Sequence, residues 1–181
     1  MQELIPIKSL YRNKMKALIA LDYDPTAQKV AETGFSIAKS LGAEVVLLHV
    51  ISDPAYYSST EHLKIMGFAG HMDTSSLQLD NIEGLEKTAQ QFLDKLKQHL
   101  GDKTLQILVK EGDSAGSILK TAKEIHADVI VMGSHSRRWM EKIIMGSVTE
   151  KVMSSTKIPL LIIPTKKASN FKWNITRNVI I

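Results

Sequence analysis

Five short apolar runs, Ala17 to Leu21, Val45 to Val50, Leu105 to Val109, Val129 to Met132 and Leu160 to Ile163, constrain this chain more than anything else in it. Each has the length of a strand, and continuous apolar strands need cover on both faces. Between them, apolar residues recur at helical spacing. Ala27, Val30, Ala31, Gly34, Ala38 and Leu41 share one helix face, as do Leu85, Ala89, Phe92, Leu93, Leu96 and Leu100, and then Ile118, Leu119, Ala122 and Ile125. Strand and helix alternate, which predicts an α/β fold: a parallel sheet with right-handed crossover helices on both faces. Boundary residues fit this parse. Asp24 before Pro25 is expected to cap the first helix, Gly42 to close it, and Asp113 or Ser114 to cap the third.

The 181 residues make one domain of ordinary composition, 44% hydrophobic and 23% charged. With no cysteine, disulfides, thiolate metal sites and cysteine nucleophiles are excluded, in keeping with a reducing, cytoplasmic setting. Residues 1–13 carry Glu3, Lys8 and Arg12 around a short apolar run, and no stretch is long and apolar enough for a membrane span, so neither secretion nor a membrane partner is expected. The net charge of +4 is matched by Lys166, Lys167, Lys172 and Arg177, in a tail without acids. The body is therefore near neutral, and no nucleic-acid partner is expected.

Domain organisation follows: an N-terminal extension at 1–13, the domain proper at 14–165, and a basic, apolar tail at 166–181. Within the domain, 52–81 breaks the rhythm of strand and helix. It is too long for an ordinary connection and is either a flap over the site or an insert.

Two regions carry candidate chemistry. Gly133-Ser134-His135-Ser136 leaves the fourth strand, and Gly146-Ser147 opens the helix that follows. Small residues beside the N–H groups and positive end of a helix suit a phosphate. Ser147-Val148-Thr149-Glu150 also fits a capping box, which would make the same element a well-capped helix start. The second region is Asp22, at the exit of the first strand. In a sheet ordered 3-2-1-4-5, strands one and four are neighbours, and the connections leaving them diverge at the switch point where such sheets bind ligands. Asp22 and Gly133 should then flank one cleft, with the carboxylate taking ribose hydroxyls or a base amine and the glycine side taking phosphates. Asp22 is also readable as a turn-former ahead of Asp24, and the two roles are compatible.

On these residues the chain resembles the universal stress protein family. The resemblance rests on Ala17 to Asp22, Val45 to Val50, Glu111-Gly112-Asp113-Ser114 and Ala127 to His135, and covers roughly Lys14 to Thr165. It implies a Rossmann-like fold of the adenine nucleotide alpha hydrolase-like kind and a role in stress response. Nucleotide-binding members carry G-x2-G-x9-G-[ST], on which Gly133, Ser136, Gly146 and Ser147 fall with every spacing intact and serine at the second glycine. By resemblance, Asp22 and the Val50 backbone hold adenine and ribose, Ala20 and Met132 line the base pocket, and Gly133, Ser136, Gly146, Ser147 and Val148 surround the phosphates. ATP, or AMP or ADP, is the implied ligand, with Mg2+ carried by the nucleotide. Arg137 and Arg138 are candidates for further phosphate contacts. The family also contains members that do not bind ATP, so a protein-contact module is the rival reading.

Enzyme motifs are absent: there is no P-loop, no dinucleotide fingerprint and no nucleophile elbow. No catalytic residue is assigned, and slow ATP hydrolysis is the remaining enzymatic alternative. No histidine pair has metal-ligand spacing, so no metal site of the protein's own is expected. His135 is the one histidine expected near the cleft, more readily as a loop residue than as an acid or base. The last strand, Leu160, Leu161, Ile162 and Ile163, is apolar yet lies at a sheet edge, which calls for cover. The resemblance implies the same strand of a second subunit, giving a homodimer.

Overall fold

The apolar runs become strands whose alternate side chains enter two different cores. The computed structural model describes residues 14–23, 26–52, 82–134 and 145–165. Strand β1 is Lys16–Leu21, β2 Glu44–Ile51, β3 Gln106–Glu111, β4 Val129–Gly133 and β5 Leu160–Ile163. They form one parallel sheet in the order β3-β2-β1-β4-β5. Helices α1 (Ala27–Ser40), α2 (Ile82–Leu100), α3 (Ser114–Glu124) and α4 (Ser147–Ser155) are the described helices, one following each of the first four strands. Along β1, Ala17, Ile19 and Leu21 join the cluster packed with α1 and α2, whereas Leu18 and Ala20 join the cluster packed with α3 and α4. Both faces are buried, which is why β1 reads as a run without alternation.

Helix α1 lies close over the sheet because Gly34 has no side chain: a Cβ there would come 2.9 Å from Val131 Cγ1 and 3.2 Å from Ile19 Cδ1. Its C-terminus is a Schellman turn, with Gly42 N–H on the Lys39 carbonyl, Ala43 N–H on the Ala38 carbonyl, and Gly42 at φ +68°. Helix α3 ends the same way, but with His126 at φ 53° in the position that favours glycine.

The caps depart in part from expectation. Asp113 caps α3, its carboxylate accepting from Gly116 N–H at 2.8 Å. Helix α1 is instead capped at Thr26, which makes no side-chain capping bond; Asp24 and Pro25 lie outside the described residues.

One side chain fixes how β1 meets β4. Asp128 accepts from Lys16 N–H at 2.8 Å through its carboxylate, and its own N–H donates to the Lys16 carbonyl at 2.8 Å. With this clasp at the start of both strands, Ala17 faces Val129 and Ile19 faces Val131. The carboxyl ends of β1 and β4 therefore emerge side by side, and the helices that follow them, α1 and α4, pack on opposite faces of the sheet.

Candidate functional site

Asp22 follows the last residue of β1 and is exposed. One of its carboxylate oxygens accepts from Tyr23 N–H at 2.8 Å, which turns the chain back toward the core. Tyr23 is 4% exposed, its ring 4.1 Å from that of His49 and 4.9 Å from that of Phe92. His49, on β2, is buried and its Nδ1 donates to the Leu21 carbonyl at 2.9 Å. Burial holds the imidazole below its ordinary pKa; the Leu21 carbonyl and the Asp22 charge pull the other way. Because a carbonyl can only accept, Nδ1 carries a proton in this contact, and burial disfavours a second proton on the ring.

Ala20, Val50 and Met132, from three adjacent strands, share one buried cluster, and Val148 of α4 packs against it. These four expected site residues therefore belong to one buried apolar cluster, at positions toward the carboxyl ends of the strands and the start of α4. Beside it, the Gly133 carbonyl accepts from Thr149 Oγ1 at 3.2 Å, which ties the end of β4 to the first turn of α4. Ser134 ties the same end to β5, through its N–H to the Ile163 carbonyl at 2.9 Å and its hydroxyl from Thr165 N–H at 3.2 Å.

The capping box does not form. Gly146, not Ser147, is the N-cap, with φ −66° and ψ 151°, and Ser147 is the first helical residue, exposed to solvent. The Gly146 carbonyl accepts from Glu150 N–H at 3.0 Å, but a glycine has no side-chain oxygen for the first-turn N–H groups. A helix start of this kind leaves its donors available to an anion.

His135, Ser136, Arg137 and Arg138 lie outside the described residues, as do 53–81 and 166–181. The expectation that His135 is the one histidine near the cleft therefore lies outside the described residues; a different histidine, His49, meets the peptide leading into Asp22. Inside an apolar run it reads as core, and the pairing of Leu21 with His49 is what brings the Leu21 carbonyl to its ring. Thr149 was missed for the same reason: its partner is the distant Gly133. Among the described residues, no cluster of His, Asp and Glu could hold a metal ion, and no helix is long and apolar enough to cross a membrane.

The model of the universal stress protein family matches residues 15–164. The chain belongs to this family. Universal stress protein MJ0577 of Methanocaldococcus jannaschii is 29% identical over 158 residues, which span 84% of this chain and 96% of that one. Its solved structure matches at 25% identity with a TM-score of 0.59, covering 85% of this chain and 98% of that one. A universal stress protein solved in complex with cAMP has the same fold at 15% identity and a TM-score of 0.56, covering 84% of this chain and 98% of that one. The sheet order and the two helical layers are those of a universal stress protein.

Proposed function

We propose that this universal stress protein binds ATP or a related adenine nucleotide in the cleft between the exits of β1 and β4, and acts as a cytoplasmic regulatory module of the stress response. What carries the reading is one set of surroundings: apolar Ala20, Val50 and Met132 toward the ends of three adjacent strands, an exposed carboxylate at Asp22, and the start of α4 at Gly146, which has no side-chain capping bond. Each suits a different part of one ligand. A base stacks on apolar side chains, a carboxylate accepts from ribose hydroxyls or the exocyclic amine, and helix N–H groups take phosphate oxygens. The cAMP complex of a protein sharing this fold suggests adenine nucleotides as the first ligands to try.

In this reading Gly133, Ser136, Gly146, Ser147 and Val148 surround the phosphates, Arg137 and Arg138 add charge to them, and any Mg2+ arrives on the nucleotide, which supplies most of its ligands. Turnover is slow or absent, since no residue is assigned as a base for water. Among the described residues, β5 is the edge strand beyond β4 with Leu160, Leu161 and Ile162 half-buried, and the proposal includes its pairing with a second copy as a homodimer.

The test is whether protein purified without added nucleotide carries adenine absorbance, and whether Gly146→Trp removes it. Retention of nucleotide by Gly146→Trp refutes the phosphate assignment. A purified protein that carries none and binds none on titration refutes the reading and leaves the protein-contact alternative, which Ser136 at a glycine position of the motif favours.

A further inference from the structure

Beneath the exit of β1 lies a buried polar contact that the nucleotide reading does not use. His49 is 1% exposed, on the face of β2 that Val45, Leu47 and Ile51 also bury. A leucine there would pack without desolvating a polar group, so the imidazole needs a partner to be tolerated. Its Nδ1 donates to the Leu21 carbonyl at 2.9 Å, and its ring lies 4.1 Å from Tyr23 at a tilt of 51°, with Phe92 edge-on at 6.4 Å. The Leu21 carbonyl and the Asp22 N–H belong to one planar peptide unit. Tyr23 N–H in turn donates to the Asp22 carboxylate. His49 therefore touches the peptide that leads into Asp22 and the ring that follows it.

We propose that His49 is a positioning residue: by bonding the Leu21 carbonyl and backing the Tyr23 ring, it fixes the direction in which the Asp22 carboxylate leaves β1, and through it the cleft's grip on a nucleoside. The second half rests on the nucleotide reading; the first stands without a ligand. The role goes through Asp22, since a group this deeply buried does not meet the ligand itself. It also explains why a strand whose other buried residues are Val, Leu and Ile carries an imidazole at this register.

The test separates the two halves. Amide exchange on the ligand-free full chain reads the positioning. His49→Leu removes the donor and is expected to lower protection of the Tyr23 amide roughly tenfold, the factor for one hydrogen bond, while β4 amides such as Val131 keep theirs. His49→Asn, whose side-chain amide nitrogen stands near the place of Nδ1, is expected to retain protection. Where the leucine variant fails to fold, His49→Gln serves, because its donor falls nearer the place of Nε2, and the same loss is expected. Undiminished protection at Tyr23 overturns the proposal. Titration with ATP and with inorganic tripolyphosphate reads the second half: His49→Leu weakens ATP about tenfold, leaves tripolyphosphate unchanged, and adds nothing in an Asp22→Ala background. Equal loss for both ligands, or additive loss with Asp22→Ala, overturns it. A wild-type protein that binds no ATP removes the proposed function, and the exchange comparison then decides the role of His49 alone.

Discussion

Acid should weaken this fold through His49 before any carboxylate matters. In the unfolded chain the imidazole takes up a proton near its ordinary pKa of 6.5, whereas in the folded protein burial delays uptake to lower pH. Between those two points the unfolded state holds the extra proton, so stability is fully present above about pH 6.5 and falls as pH drops through this window. The slope is about 1.4 kcal/mol for each pH unit in which only the unfolded imidazole is charged. Against a total stability of roughly 5–15 kcal/mol, one unit is a large share. The Leu21 carbonyl and the Asp22 carboxylate oppose the burial effect and narrow the window without reversing it. The assay is urea unfolding between pH 7.5 and about pH 5, comparing the native protein with His49→Asn, which keeps a polar group and has no proton to gain. The stability difference between the two is expected to shift with pH at that slope. Glu32 stays out of this range. Its carboxyl is held below the usual 4.5 by hydrogen bonds from Gln28 and then His99, so its contribution is present above that value and lost only as pH falls further. Parallel stability curves for the two proteins would show that the imidazole does not resist protonation in the fold, and the reasoning from burial would be wrong.

Two further substitutions probe the frame around the site. Thr149→Val keeps the shape of a residue that is 4% exposed but removes its bond to the Gly133 carbonyl; it should cost about 1 kcal/mol in urea unfolding and weaken ATP binding, and unchanged values for both would show that the bond holds nothing in place. His126→Gly should stabilise the chain by roughly 0.5–1 kcal/mol, because a left-handed φ of 53° strains a side chain that glycine lacks. A lower urea midpoint for His126→Gly would mean that its imidazole makes a contact that outweighs the backbone.

Much of the architecture was legible because it depends on local pattern. The run Ala17 to Leu21 reads as a doubly covered strand from its lack of alternation, and β1 came out one residue longer, at Lys16, where Asp128 anchors the backbone. Gly42 announced the end of α1 because a Schellman turn needs a left-handed residue just past the helix. Helix starts were less legible. Ser147-Val148-Thr149-Glu150 satisfies the capping pattern, yet the N-cap is Gly146, Ser147 is already the first helical residue, and Thr149 spends its hydroxyl on Gly133.

By itself the sequence determined the order of strands and helices, the two-sided burial of the sheet, and the family, since these follow from the spacing of apolar residues and from short motifs along the chain. Only the tertiary structure decided what His49, Asp128 and Thr149 do. Each bonds a backbone group far away in sequence, at Leu21, Lys16 and Gly133. Such partners are chosen when strands pair in register or, for Thr149, when α4 packs at the end of β4, and no pattern local to any of the three residues encodes that choice.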